Sequence, residues 1–451
     1  MNGLVVPVLV GWLPAVMGLF LWLPPRRAVL WSFLIAWLFL PIAAIKVAGL
    51  PDYNKMSATC LGTLLASLAF DGKRLLSFQP RWIDLPMLVW CLCPMASSLA
   101  NGLGLHDGFS AAMYQTVAWG LPYLIGRIYF ADALSLRELA LAVFLGGLIY
   151  VPLCLWEIRM SPNLHLWVYG YRQVGFAQAF RFGGWRPMVF LQHGLMVGMW
   201  MCMTSLVGLW LWWTRAVRHI GGIPIGALAL ALTVTAVLCK SMGAVVLLIT
   251  GLAALAALKL TKVRAGILAL ALVAPGYVGM RASGLWSGEA LLRLSSNVNQ
   301  ERSRSLDTRL DNENLMAAHA LERPVFGWGG WGRNRIFDAR GRDISITDGF
   351  WIIALGTTGL VGLGSFLVSF LLPPAWLLLR YRPRVWLEPG LAPVAALMTV
   401  VMLFTIDCLP NAMLNPLFVV MLGGLTACTA PGALGVPMVP ARPVRAALQF
   451  A

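Results

Sequence analysis

Apolar residues along this chain are gathered into long runs separated by short polar breaks. The spacing predicts helices near residues 3–23, 28–48, 54–70, 84–100, 109–129, 138–157, 188–213, 220–239, 242–258, 265–281, 348–373, 390–407 and 413–430. A bilayer core of about 30 Å takes roughly 20 helical residues to cross, so the pattern describes an all-α polytopic transmembrane helix bundle of about twelve to thirteen helices. The first run lacks a basic n-region and is too long for a signal-peptide core, which marks a retained helix. Two polar breaks stand out by length. They divide the chain into ten helices with a loop at 159–187 (residues 1–281), a large loop with short helices (282–347), and C-terminal helices with a tail (348–451).

Composition agrees: 59% of the 451 residues are hydrophobic and 12% charged, against about 25% charged in soluble domains. The net charge of +16 would suit a nucleic-acid partner if the cations formed one patch, but they form small clusters between helices. Arg26 and Arg27, Lys73 with Arg74 and Arg81, Arg215 with Arg218, Lys259 with Lys262 and Arg264, and Arg380 with Arg382 and Arg384 fall at every second loop. That is the positive-inside pattern; it argues against nucleic acid and turns both long loops outward, with the tail carrying Arg442 and Arg445 inside. Eight cysteines sit almost entirely within apolar runs without C-x-x-C spacing, as buried thiols do.

The outward loops carry the candidate chemistry. The first holds Arg159, Arg172, Arg181 and Arg186 among aromatics and glycines, with no acidic residue after Glu157. The second holds Arg293, Arg302, Arg304, Arg309, Arg323, Arg333, Arg335, Arg340 and Arg342, and no lysine. Guanidinium presents a planar fork that binds phosphate bidentately and keeps its charge when desolvated. The competing reading is a salt-bridged loop, since Glu301, Asp307, Asp311, Glu313, Glu322, Asp338 and Asp343 suffice to neutralise most of these arginines. Ser305 to Glu322 predicts a helix with Ser305 and Asp307 as capping groups and Arg309 one turn from Glu313. Pro324 stops it, and Gly327, Gly329, Gly330 and Gly332 alternate with Trp328 and Trp331 in a compact turn. No Lys-Ser/Thr follows, so this is not a nucleotide-binding loop.

The stretches Ser305-Leu-Asp-Thr-Arg309, Arg323-Pro-Val-Phe-Gly327-Trp-Gly329 and Thr347-Asp348-Gly through Gly356-Thr-Thr-Gly359-Leu360-Val-Gly362 resemble the signature of the O-antigen ligase and O-antigen polymerase superfamily. Arg181-Phe-Gly-Gly-Trp-Arg186-Pro and Lys240-Ser241-Met-Gly243 add to the likeness, which spans nearly the whole chain. The resemblance implies a glycosyltransferase of the bacterial inner (cytoplasmic) membrane that moves an undecaprenyl-diphosphate-linked glycan to an acceptor glycan, lipid or protein. It implies no nucleotide sugar, cofactor or metal, and the outer loops contain no Asp-x-Asp pair. Many ligases carry histidine where this chain has Asp348, which favours a polymerase-like or exopolysaccharide role. Membrane lipids and other polysaccharide-assembly proteins are the further expected partners.

Breaking a sugar–diphosphate bond leaves charge on the departing group, which calls for donors already in place. Arg309 is the first candidate from its place in the family pattern. Arg186 and Lys240 are expected to approach it, and Arg172 and Arg181 share Arg186's loop; Lys240 reads equally as an interfacial anchor. The acceptor hydroxyl needs a base: Asp348, which also reads as a helix N-cap, or His319, with Asp407 a third acidic group at the same depth that also reads as a substrate contact. The alternative from another class is an exporter or flippase of the lipid-linked glycan. Such transporters place ionisable residues near the bilayer midplane and show related halves. A noncatalytic scaffold is a third reading, with no need for so many outer-loop arginines.

Overall fold

The computed structural model describes residues 2–47, 52–286, 288, 300–345 and 347–438, and for residues 177 and 300–306 the backbone alone. Every apolar run folds into helix. In chain order these are α1 (Val5–Trp22), α2 (Pro25–Phe39), α3 (Lys55–Leu76), α4 (Leu85–Ala100) and α5 (Gly104–Gln115), which continues through a π-helical turn (Thr116–Gly120) into α6 (Leu121–Tyr129). Then come α7 (Ala133–Met160), the short α8 (Leu164–Tyr169), α9 (Gly194–Trp213), α10 (Ile225–Leu238), α11 (Met242–Thr261) and α12 (Ala265–Ala282). The loop helix α13 (Gln300–Ala320) precedes α14 (Phe350–Arg380), α15 (Ala392–Asp407) and α16 (Pro416–Ala427). Strand is confined, among the described residues, to three two-residue hairpins and one isolated bridge. The chain is an all-α polytopic bundle. Seven of its described helical segments are long and apolar enough to cross a membrane: α1, α4 with its leading 3-10 turn, α7, α9, α11, α12 and α14.

Helices apolar on every side belong in the interior, and α9, α15 and α16 occupy the core, with Trp200, Trp210, Phe404 and Phe418 buried. Small residues let backbones meet there. A Cβ on Gly126 of α6 would stand 2.1 Å from the Val420 carbonyl oxygen of α16, and one on Gly208 of α9 would stand 2.2 Å from the Phe144 ring of α7.

Several boundaries differ from the periodic reading. Helix α2 stops at Phe39, because the chain turns at Pro41 into the hairpin pairing 44–45 with 53–54. Helix α9 begins at Gly194 instead of residue 188, since buried Glu157 accepts the amides of Met188 (2.8 Å) and Val189 (2.7 Å) and holds that segment in a turn with Val189 at φ +50°. Helix α13 spans Gln300–Ala320, so the backbone at Ser305 and Asp307 is helix interior instead of the expected helix start. Arg293, Arg442 and Arg445, and the side chains of Arg302 and Arg304, lie outside the described residues.

The alternating cation clusters come together on one face. Arg264 donates to the carbonyls of Leu378 and Tyr381 at the end of α14 (2.7 and 3.1 Å), Lys259 donates to that of Trp213 at the end of α9, and Arg81 to those of Thr426 and Ala427 at the end of α16. Carbonyls at helix C-termini lack intrahelical partners and carry the negative end of the dipole. These residues therefore cap helices as well as set charge. The opposite face carries both long loops.

Candidate functional site

On that opposite face the motif segments prove to be two halves of one structure. Gly359 interrupts α14 at φ +65°, ψ −166°, a conformation confined in practice to glycine. The backbone groups freed by the break are taken up by the turn after α13: Trp328 and Gly329 donate to the carbonyls of Gly356 (2.8 Å) and Thr357 (3.1 Å), while Leu360 and Val361 donate to those of Pro324 (2.7 Å) and Val325 (3.2 Å). The approach is so close that a Cβ on Gly327 would lie 2.6 Å from the Gly356 oxygen, and one on Gly359 2.4 Å from the Val325 oxygen. The turn thus fastens the loop helix to the membrane bundle.

Helix α13 is also anchored further along. Glu313 accepts from Tyr277 Oη (2.7 Å) and Trp351 Nε1 (3.2 Å) and pairs with Arg281 (3.4 Å), whose Nη2 donates to the Leu310 carbonyl (2.8 Å). This buried cluster ties α13 to α12 and α14. One turn back, Arg309 pairs through Nε with Asp348 Oδ2 at 3.0 Å and lines the same cavity as Asp348.

These elements wall a cavity of about 530 Å³. Arg309, Glu313, Asp348, Asp407 and Tyr277 supply its polar groups, over an apolar floor that includes Val246, Leu247 and Leu310. Asp407, 6% exposed at the end of α15, accepts from Asn411 Nδ2 (2.8 Å) and forms no salt bridge among the described residues. Asp348 does not cap α14 as its position suggests. The cap residue is Gly349, without a side-chain bond, because the amides of Phe350 and Trp351 are taken by the carbonyls of Asn411 (3.3 Å) and Cys408 (3.2 Å).

A second cationic group lies alongside. Arg186 is buried, lies across Gly194, and donates to the Lys240 carbonyl (3.2 Å); Lys240 itself stands at φ +54° with its ammonium against Gly184, donating to the Phe182 carbonyl (3.3 Å). His193, at the N-cap of α9, lies within electrostatic reach of Arg186, Arg181 and Asp348. Burial and the guanidiniums of Arg186 and Arg181 hold its pKa below the ordinary imidazole value, with Asp348 acting in the opposite sense. Its Nδ1 accepts the Leu195 amide at 3.1 Å, so the neutral ring carries its proton on Nε2 and presents a donor.

The structure thus brings Arg309, Asp348 and Asp407 into one cavity, with Arg186, Lys240 and Arg181 at its side. It leaves two candidates out. Arg172 donates to Asn163 (2.8 Å) and lies over the Phe176 ring at 4.1 Å, bracing its own loop. His319, ten residues along α13 from Arg309 and so about 15 Å away on the helix axis, stacks on Trp328 (4.5 Å) and pairs with Glu322 (3.3 Å). The salt-bridged reading holds for part of the loop: Arg335 pairs with Asp343, Arg342 with Asp338 (2.8 Å), and Arg333 reaches Asp107 before α5's second turn (3.2 Å). Sequence reasoning missed His193 and the Glu313–Tyr277–Arg281 cluster. For His193 the available signal was a histidine just beyond Arg186-Pro187; for the cluster, Tyr277 and Arg281 one turn apart at the end of an apolar run. The chain matches no protein-family model, and no curated protein matches it at a significant level.

Proposed function

We propose that this protein is a glycosyltransferase of the bacterial inner membrane that extends or transfers a polyprenyl-diphosphate-linked glycan at the outward face, most simply as a polymerase. The observation carrying this reading is the convergence, at one membrane face, of Arg309 and the uncharged-partner carboxylate Asp407 on a single cavity with an apolar floor. The acceptor oxygen attacks the anomeric carbon and forms the new glycosidic bond. The bond to the diphosphate breaks, its electron pair leaves with the phosphate oxygen, and the acceptor proton passes to Asp407.

Arg309 clamps the leaving diphosphate, with Arg186, Lys240 and the His193 Nε2–H as further donors. Asp348 orients the Arg309 fork. Of the three base candidates, His319 stands apart and Asp348 is engaged by Arg309, which leaves the role to Asp407. A transporter reading is less well supported, because the buried charged side chains Lys55, Arg127, Glu157, Arg281 and Asp407 sit at or near helix ends and not at mid-helix.

The test uses membranes supplied with lipid-linked repeat unit as sole sugar donor and no nucleotide sugar. The expected result is a ladder of longer glycans with release of polyprenyl diphosphate. Glycan of unchanged length that has moved across the bilayer would assign an exporter instead. Reporter fusions at Arg215, Lys262 and Arg382 should read cytoplasm and those within 302–343 periplasm; a cytoplasmic signal from 302–343 would sink the proposal.

A further inference from the structure

The face opposite the candidate site carries a second cavity, of about 870 Å³, between the ends of α9 and α11. Arg215, Arg218, His219 and Lys259 line it together with Trp212 and Trp213, and no carboxylate does. None of Arg215, Arg218, Lys259 or the neighbouring Lys262 forms a salt bridge among the described residues, although Lys262 and Arg215 both lie within electrostatic reach of Lys259. Cations crowded without an anion repel one another, and a bound anion relieves that repulsion. The positions are fixed by structure: Lys259 is held by the Trp213 carbonyl and lies 4.5 Å from the centre of the Trp213 ring, and Arg215 occupies a left-handed turn at φ +55°.

We propose that this cavity binds the phosphate of an anionic phospholipid headgroup. Two observations select a lipid over a free phosphate. Trp212 and Trp213 are exposed large aromatics at the end of an apolar helix, where a bilayer interface places them, and Leu387 adds an apolar wall for the glycerol and upper acyl region. Basic pockets between transmembrane helices on the positive-inside face suit such headgroups. The site is separate from the candidate glycan cavity and does not rest on the function proposed for it.

The experiment is native mass spectrometry of the purified full chain incubated with equal amounts of phosphatidylglycerol and phosphatidylcholine. Wild type should retain phosphatidylglycerol selectively, and Arg215→Gln with Arg218→Gln should weaken retention about fivefold per cation removed. Arg380→Gln with Arg382→Gln, in a cluster outside the cavity, should leave retention unchanged. Equal loss in both double variants would overturn the site in favour of a generic basic surface. Displacement of phosphatidylglycerol by millimolar inorganic phosphate, with no preference between the lipids, would overturn the lipid assignment. Should the double variant fail to reach the membrane, Arg218→Gln alone carries the same fivefold expectation, and unchanged retention in it would also count against the proposal.

Discussion

The two cavities at opposite ends of the bundle differ in one respect that decides what each can do. The cavity at the α9–α11 ends is lined by cations and no carboxylate, whereas that beneath α13 sets Arg309 beside three carboxylates, Glu313, Asp348 and Asp407. Cations alone can hold an anion. A group transfer needs in addition a place for the acceptor's proton, and that place must sit within reach of the anion site without being neutralised by it. In the α13 cavity the carboxylates are graded in this sense: Glu313 is held by three donors, Asp348 by Arg309, and Asp407 by an amide only.

The sharpest way to break the comparison is Asp407→Asn. If Asp407 takes the acceptor proton, glycan transfer per membrane-inserted protein should fall about 10²- to 10⁴-fold while phosphatidylglycerol retention stays at the wild-type level. Unimpaired transfer would remove Asp407 from the chemistry and return Asp348 to consideration. Next in size is Arg309→Lys. A bidentate clamp loses its geometry though not its charge, so activity should drop nearly as far as in Arg309→Ala, by about 3 to 4 kcal/mol of transition-state stabilisation. Arg340→Lys, on the exposed loop surface, is the control and should be near silent, since exposed charges contribute about 0.2 to 1 kcal/mol. Equal activity of Arg309→Lys and wild type would place the diphosphate elsewhere.

How far the sequence foretold this arrangement depends on whether the signal was local. Apolar runs are local, and each became helix. The partner of Arg309 is not. Glu313 stands one turn away, yet it is occupied by Tyr277, Arg281 and Trp351, and Arg309 turns to Asp348 across the cavity. The break at Gly359 escaped for a related reason: apolar periodicity runs straight through 348–373, and only the docked Pro324–Gly329 turn supplies the hydrogen bonds that make a break affordable. The capping role expected of Asp348 failed because carbonyls from the α15–α16 connection reached the α14 amides first.

That docking yields the next prediction, on stability. Gly359→Ala must place a Cβ 2.4 Å from the Val325 oxygen and hold alanine at φ +65°. Backbone strain of this kind costs about 1 to 3 kcal/mol before any steric term, so the unfolding temperature in detergent should fall by several degrees and α13 should become accessible to protease. Gly364→Ala, later in the same helix with nothing within 4 Å of its Cβ, should be neutral or slightly stabilising. Equal melting of the two variants would mean that the turn does not fasten the loop to the bundle.

The smallest expected effect concerns His193 and tests whether burial, Arg186 and Arg181 together outweigh Asp348 at its ring. An ordinary imidazole takes up its proton near pH 6.5; in the folded chain burial, Arg186 and Arg181 delay that uptake to lower pH, against the pull of Asp348. Below about pH 6.5 the unfolded chain therefore binds more protons than the folded one, and linkage requires stability to fall as pH drops through that window. Above it the contribution is constant and favours the fold. His193→Asn keeps a side-chain oxygen to cap the Leu195 amide but cannot titrate, so its melting temperature should decline less than that of wild type between about pH 7.5 and 5.5. Since His165 also has its pKa lowered by burial and titrates in both proteins, the difference between the two curves, not either slope alone, is the quantity that reports His193. Parallel curves would show that His193 carries no net lowering, and the reading in which burial, Arg186 and Arg181 together outweigh Asp348 would fail.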